Sequence, residues 1–332
     1  MTIYKHTLML CLLLFCAAAC TRKTELLSNR PQPVMQDYLA TQPELSLFGK
    51  ALKKAGLDKD IRLQSGGPFT FFVPVDSAMI RAGFTEQVIN NYDADKLAKI
   101  LRYHILNGRL SSTTLVGNYT QDAFSLEPGR LPKVSRNFHG IFLNGITVTT
   151  PNVELGDGVL HKMNGISLLP GLDAYDLLQQ HPDLTFMAYF VRHTDGWEER
   201  LREPDTLRWK GNGLERGFTF LAPTDEAFRE EGYNTPEELM QEDPVYVRNL
   251  LGFYLIGGRW FISDWLDGVE LSGYRRPALY ALSTNPMGYF IQAGGLTFKT
   301  HYNLNVPRII HSDIMADNGV LHIVDKVIKA GI

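Results

Sequence analysis

The chain has 332 residues, which at roughly 150 per domain gives a prior of about two domains. Hydrophobic residues make up 44% and charged residues 21%, the balance of a globular protein and not of a disordered chain or a polytopic membrane protein. A net charge of -3 offers no field to draw nucleic acid, and the three cysteines all lie within the first 20 residues, so the body holds no disulfide, cysteine-ligated zinc, iron–sulfur cluster or cysteine nucleophile.

Residues 1–19 read as a signal peptide: Met1 to Lys5 is short and weakly basic, Leu8 to Phe15 is apolar, and small residues precede Cys20. The apolar run is too short to span about 30 Å of hydrocarbon. A cysteine directly after Ala17-Ala-Ala19 resembles the bacterial lipobox, with Ala17 where Leu is usual, and the resemblance implies that Cys20 is diacylated as the first mature residue. A plain secretory signal cut after Ala19 is the alternative. Two or three acyl chains hold a protein on a membrane where one is marginal. Residues 20–34 then form a polar, Pro-containing tether. Thr21 does not resemble the Asp that marks inner-membrane retention, which favours an outer-membrane location on a face left open.

Past the tether the chain repeats itself. Asp37-Tyr-Leu-Ala-Thr-Gln-Pro-Glu-Leu-Ser46 returns as Asp176-Leu-Leu-Gln-Gln-His-Pro-Asp-Leu-Thr185, and Thr70-Phe-Phe-Val-Pro-Val-Asp-Ser-Ala-Met79 returns as Thr219-Phe-Leu-Ala-Pro-Thr-Asp-Glu-Ala-Phe228. Tyr103-His-Ile-Leu-Asn-Gly-Arg109 matches Phe253-Tyr-Leu-Ile-Gly-Gly-Arg259, and Gly158-Val-Leu-His161 matches Gly319-Val-Leu-His322. Four blocks in one order define two domains, residues 35–170 and 171–332. The spacing between copies widens along the chain, placing insertions in the second copy between 193 and 218 and between 259 and 319.

Each block has a local reading. Asp37 and Asp176 can cap a helix, with Pro43 and Pro182 kinking it or starting another. Thr70 to Val73 and Thr219 to Ala222 are apolar runs stopped by proline, as in buried strands. Asp76 and Asp225 then stand where the cap of the next helix belongs. Leu97, Ile100, Leu101 and His104 share one helix face, and Val247, Leu250, Leu251 and Tyr254 share its counterpart, entered through Asp243-Pro244. Short strands with Gly, Asn and Pro turns follow, including an Asn-Gly turn at Asn144-Gly145. The expected class is α+β with a β-sandwich core.

Together these blocks resemble the fasciclin (FAS1) family across residues 35–332. Thr219 to Phe228 is similar to its first motif at nearly every position, Tyr103-His104 to the pair that ends its helix, and Asn318-Gly-Val-Leu-His322 to its closing motif, with Asp157 replacing the Asn in the first copy. The resemblance implies two tandem wedges, each a β-sandwich with helices packed on one side, and a non-enzymatic adhesion or ligand-binding role without cofactors. The family-motif positions are Asp76, Tyr103, His104, His161, Asp225, Tyr254 and His322. Phe253-Tyr254 departs from Tyr-His, a pair linked to adhesion in family members; Val75 and Met79 depart from Thr and Phe.

Exchange of His104 for Tyr254 marks a core position with a hydrogen-bonding tip and not a metal ligand or general base. The same reading applies to His161 and His322. His311-Ser-Asp313 is the nearest approach to a polar site, with no further ligand at metal spacing. No zinc-protease helix, nucleophile elbow, Ser-x-x-Lys or Walker loop is present, and Gly211 to Gly217 has the wrong spacing and context for a dinucleotide loop. All four tryptophans lie in the second copy. Trp197, Trp209, Trp260 and Trp265, with Tyr274, are the candidate ligand surface, against the alternative that they fill the core.

The expected function is a cell-envelope lipoprotein held to a membrane by its N-terminal lipid, with a protein or glycan ligand and no nucleic acid. The narrower alternative is an accessory of an outer-membrane uptake system that binds glycan or docks on a transporter. An envelope hydrolase is the competing class and requires convergent titratable groups in a cleft; a purely structural spacer, with no ligand, is a third.

Overall fold

A computed structural model of the chain describes residues 32–117, 119–204, 216–266, 279–280, 288–291, 296–299 and 306–328. The proposed signal and Cys20 lie outside these residues, as do Trp209 and Tyr274.

In the first domain, helices α1 (Met35–Ala40), α2 (Ser46–Lys54) and α3 (Ile61–Gln64) precede strand β1 (Phe69–Pro74). Helices α4 (Asp76–Arg81), α5 (Glu86–Asn91) and α6 (Ala94–Tyr103) follow, then strands β2 (Ile105–Asn107), β3 (Tyr119–Asp122), β4 (Lys133–Asn137), β5 (Gly140–Leu143), β6 (Ile146–Leu155) and β7 (Gly158–Met163). The sheet order is β2-β1-β7-β6-β5-β4-β3, with β1 and β7 parallel. Every residue of β1 is buried, as expected of a central strand covered on both faces.

One face of β1 carries Phe69, Phe71 and Val73 into a core shared with the helices. The other face carries Phe72 into a second cluster with Leu106, Val134, Leu143 and Met163. In a flat sheet β2 and β4 would be separated by several strand spacings of about 4.8 Å, too far for Leu106 and Val134 to share a cluster. The ladder therefore folds over at β6, whose register shifts between Val148 and Val153 mark bulges, and a sandwich results.

The second domain repeats the plan. Helices α7 (Ala174–Gln180), α8 (Thr185–His193) and α9 (Trp197–Arg202) lead to strand β8 (Phe218–Pro223), followed by α10 (Asp225–Glu230), α11 (Pro236–Leu239), α12 (Pro244–Tyr254), β9 (Leu255–Gly257) and α13 (Ile262–Trp265). Strands β10 (Leu279–Tyr280), β11 (Gly288–Ile291) and β12 (Phe298–Lys299) form a small sheet; β13 (Ile309–Met315) and β14 (Gly319–Val324) join β8 and β9 in the order β13-β14-β8-β9. Its core is anchored by Phe186 stacked on Phe228 at 5.3 Å. Each such ring contributes about 1.5–3 kcal/mol by leaving water.

The parallel pairs explain the glycines of the closing blocks. A Cβ on Gly158 would strike the carbonyl oxygen of Phe69, and one on Gly319 would lie 2.6 Å from that of Phe218. Larger residues would push the two central strands apart.

Several local expectations hold. Asp243 caps α12 with Pro244 at its first position. Asn144-Gly145 turns the β5–β6 hairpin with φ of 47° and 79°.

The other aspartates are corrected. Asp37 lies inside the first turn of α1, and Asp176 lies inside α7, which Asp173 caps. Neither Asp76 nor Asp225 caps the helix that it begins. Asp76 reaches back instead to α2, accepting from the Ser46 hydroxyl at 2.7 Å and the Leu47 N–H at 2.9 Å. Asp225 does the same at α8, with the Thr185 hydroxyl at 2.6 Å and the Phe186 N–H at 2.9 Å. Thr224 caps α10, a bond that Val75 cannot supply to α4.

Candidate functional site

The family-motif side chains are all hydrogen-bonded, Tyr103 to another side chain and the rest to backbone. His104 is fully buried; its Nδ1–H donates to the Ile100 carbonyl at 2.8 Å and its Nε2 accepts from the Ser167 N–H at 3.0 Å. Burial pushes this imidazole down to about 4, so it is neutral at ordinary pH. Tyr254 does the equivalent task in the second domain: its hydroxyl accepts from the Ile328 N–H at 3.1 Å and donates to the Ile328 carbonyl at 3.3 Å. Tyr103, beside His104, accepts through its hydroxyl from the Asn144 amide at 2.9 Å.

The closing histidines bind in a matched pattern. His161 meets the Leu110 carbonyl at 2.8 Å and the Asn152 N–H at 3.3 Å. His322 meets the Trp260 carbonyl at 2.9 Å and the Asp313 N–H at 3.3 Å. Asn152 and Asp313 both occupy the left-handed region, with φ of 61° and 60°, at the bulges of β6 and β13. Each also accepts, from the Ser112 N–H at 2.8 Å and the Ile262 N–H at 2.9 Å. Burial lowers His161 and brings His322 to about 4, while it raises Asp313 to about 6.

Sequence reasoning missed four further fasteners, because their partners are distant in the chain. Thr70 donates to the Gly108 carbonyl at 2.7 Å, and Thr219 donates to that of Gly258 at 2.8 Å. Asp157 receives the Met35 N–H that begins α1, and Asn318 receives the Ala174 N–H that begins α7, at 3.0 Å in both cases. The position before the closing glycine is thus a long-range cap in both copies. None of these side chains points a free acid, base or nucleophile at a cleft. Among the described residues no group of three His, Cys, Asp or Glu could hold a metal ion, and no helix is long and apolar enough to cross a membrane.

The aromatic surface expected on the second domain is redrawn. Trp197 and Trp265 are 7% and 1% exposed and belong to the core, so they are unavailable to a ligand. Trp260 is half-buried at the junction with the first domain, where the Lys133 ammonium sits 4.5 Å above its ring. The aromatic residues that open the second insertion are apolar enough to be consumed by packing, and composition alone does not separate that outcome from a binding face.

What these residues do build is a domain junction. Lys133 on β4 donates to the Arg259 carbonyl and pairs with Asp264 at 3.0 Å, where the two side chains are 7% and 1% exposed. Arg259 in turn bonds to Asp122 and to the Leu131 carbonyl at 2.8 Å. Arg130 pairs with Asp317 at 2.9 Å, and the Asn137 amide reaches the Ser263 carbonyl. Phe261, fully buried, packs over the Gly145 turn.

Two clefts open along this junction. One, of about 360 Å³, is lined by Tyr103, Arg130, Asp173, Arg202 and Asp317. The other, of about 480 Å³, lies between β3 and the Arg216 and Trp260 positions. Both fall in the size range of small-ligand sites.

The fold and its fasteners define a tandem α+β pair whose motif residues are architectural and whose open chemistry lies between the domains. The Fasciclin domain family model matches residues 43–168 and 185–330, most of the chain, and the protein belongs to the fasciclin family. Fasciclin domains are adhesion and binding modules. The chain is similar to the uncharacterized protein sll1735 of Synechocystis, 29% identical over 109 residues that cover 32% of this chain and 77% of that one. It is also similar to protein sll1483 of the same organism, 28% identical over 142 residues, 40% of this chain and 72% of that one. Human periostin is 28% identical over 172 residues, half of this chain and 18% of its own length. Among solved structures, a FAS1 domain pair from the insect cell adhesion molecule Fasciclin I aligns with a TM-score of 0.37 at 15% identity, covering 86% of this chain and 97% of that one.

Proposed function

We propose that the protein is a non-enzymatic binding lipoprotein of the bacterial cell envelope, tethered through Cys20 and presenting its two fasciclin domains as one rigid body. The observation that carries this reading is the pairing of absorbed motif residues with a buried, charged junction. His104, His161 and His322 each have both ring nitrogens bonded to backbone, which removes them as catalytic bases. The Lys133–Asp264 pair fixes the clefts between domains instead. The narrower reading, a glycan-binding or transporter-docking accessory of an outer-membrane uptake system, is favoured by Trp260, an aromatic ring held at the wall of the larger cleft.

Metabolic labelling with palmitate tests the tether. Wild type should carry label and sediment with membranes, whereas Cys20→Ala should carry none. Label on both proteins would overturn the anchor.

A further inference from the structure

The two junction clefts differ in charge. In the smaller one every cation is matched: Arg130 pairs with Asp317 at 2.9 Å, and Arg202 pairs with Asp173 at 2.9 Å and Asp176 at 3.1 Å. The larger cleft is not balanced in this way. Asp122 is held by Arg259 and Asp264 by Lys133, so these two carboxylates are already engaged. Arg216, half-buried at the start of the approach to β8, lines the cleft and has no ion pair among the described residues. A partly desolvated guanidinium without a carboxylate is a standing attraction for an anion, and its planar fork suits a carboxylate bidentately.

The rest of the lining is chemically mixed. Phe124 stands 71% exposed beside the cleft. Trp260 is fixed by three contacts: its backbone N–H donates to the Thr219 hydroxyl at 2.8 Å, its indole N–H to the Gly257 carbonyl at 2.7 Å, and the Lys133 ammonium sits above it. A ring already locked in place offers contact area without an ordering cost. The exposed edge strand β3 contributes the Thr120 hydroxyl, which both donates and accepts.

We infer that the larger junction cleft binds a carboxylate-bearing saccharide, with Arg216 on the carboxylate, Phe124 and Trp260 against the sugar ring, and Thr120 on a hydroxyl. The C–H edges of a pyranose suit the negative face of an aromatic ring. The volume of about 480 Å³ accommodates a compact ligand of one or two rings more readily than an extended peptide. The inference rests on the reading of the chain as a binding protein and specifies what it binds.

The test is calorimetric titration of the full-length protein in detergent with a glucuronate disaccharide, the matching glucose disaccharide, an aspartate-containing tripeptide and inorganic phosphate. The glucuronate sugar should bind tightest, by roughly tenfold or more over the neutral sugar. Arg216→Gln should erase that preference, and Phe124→Ala should weaken both sugars, with unfolding midpoints of both variants unchanged. Equal affinity for the two sugars, tighter binding of the tripeptide or of phosphate, or an unaltered preference in Arg216→Gln would overturn the inference. A glycan array run in parallel separates the two levels of argument. Capture of other glycans, insensitive to Arg216, would sink the acidic-sugar assignment and leave the binding role standing. Capture of nothing on the array or in the titrations would sink both.

Discussion

Tyr254 in the second domain replaces His104 of the first, and the two side chains perform one task with different atoms. The Tyr254 hydroxyl bonds both backbone groups of Ile328, whereas the His104 imidazole receives the N–H of Ser167, the corresponding residue after the closing strand. In each domain a long polar side chain at the end of a core helix seizes the chain where it leaves the sheet. The Tyr-His pair of the first copy is accordingly a structural latch, and its change to Phe253-Tyr254 preserves that latch.

Tyr254→Phe should cost about 1–3 kcal/mol, because it strands a buried N–H and a buried carbonyl at Ile328. Urea unfolding of the full chain, followed by tryptophan fluorescence, measures the loss directly. Tyr254→His, which retains a polar tip, should cost less than Tyr254→Phe. Equal stability of wild type and Tyr254→Phe would show that Ile328 needs no such partner.

Acid should unfold the first domain before the second. His104 is held down to about 4 by burial, against about 6.5 in an unfolded chain. Between those values the unfolded state binds the extra proton, so stability is full above pH 6.5 and falls as pH drops towards 4, by roughly 3 kcal/mol for such a group. His161 is lowered in the same sense, while Asp157, raised by burial, opposes both. In the second domain His322, also at about 4, is opposed by its neighbour Asp313, which keeps its proton up to about 6 when folded and so favours the fold on acidification. Two histidines against one aspartate therefore face one against one. Because all four tryptophans lie in the second domain, far-UV ellipticity should begin to fall at a higher pH than tryptophan fluorescence responds. Coincident transitions would contradict the assignment.

Much of this architecture was legible in the sequence because it depends on short-range patterns. The proline-stopped strands, the Asp243-Pro244 helix entry, the Asn144-Gly145 turn and the exchange of His104 for Tyr254 all follow from local spacing or from comparing the copies. What escaped was long-range. Asp76 and Asp225 obey the capping rule, but for helices that begin 30 and 40 residues earlier in the chain, as their Ser46 and Thr185 partners show. The larger cleft combines β3 with Arg216 and Trp260, positions that no period or motif connects, and the fate of Trp197 and Trp265 was decided by packing that composition does not encode.

The aspartate clamps should behave as coupled pairs. Asp225→Ala removes the acceptor of the Phe186 N–H and of the Thr185 hydroxyl, and a loss of about 1–2 kcal/mol is expected, as for other lost caps. Thr185→Ala should cost less, and the double variant should cost less than the sum, since both substitutions break one contact. The same cycle at Asp76 and Ser46 should give the same sign. Strict additivity at both sites would mean that the aspartates stabilise the fold by some other route.

The junction should depend on Lys133 more than any exposed ion pair would. Its partner Asp264 has a 1% exposed side chain and also accepts from the Phe261 N–H at 2.9 Å, so Lys133→Met strands a carboxylate in a buried site. Breaking one side of such a pair costs about 3–5 kcal/mol. The hydrophobic cores of the two domains share no residues, so that loss should fall on their coupling and not on either core. A thermal scan of Lys133→Met should therefore separate the transitions of the two domains further than in wild type, and Trp260, uncovered, should emit further to the red. Adding Asp264→Asn removes the stranded charge while keeping an acceptor for Phe261, and it should restore part of the coupling. Because the pair is shielded from solvent, moderate salt should leave wild-type coupling intact. A wild-type-like scan of Lys133→Met would assign the coupling at the junction to Phe261 packed over Gly145 and to Arg259, and would remove the ion pair from the account.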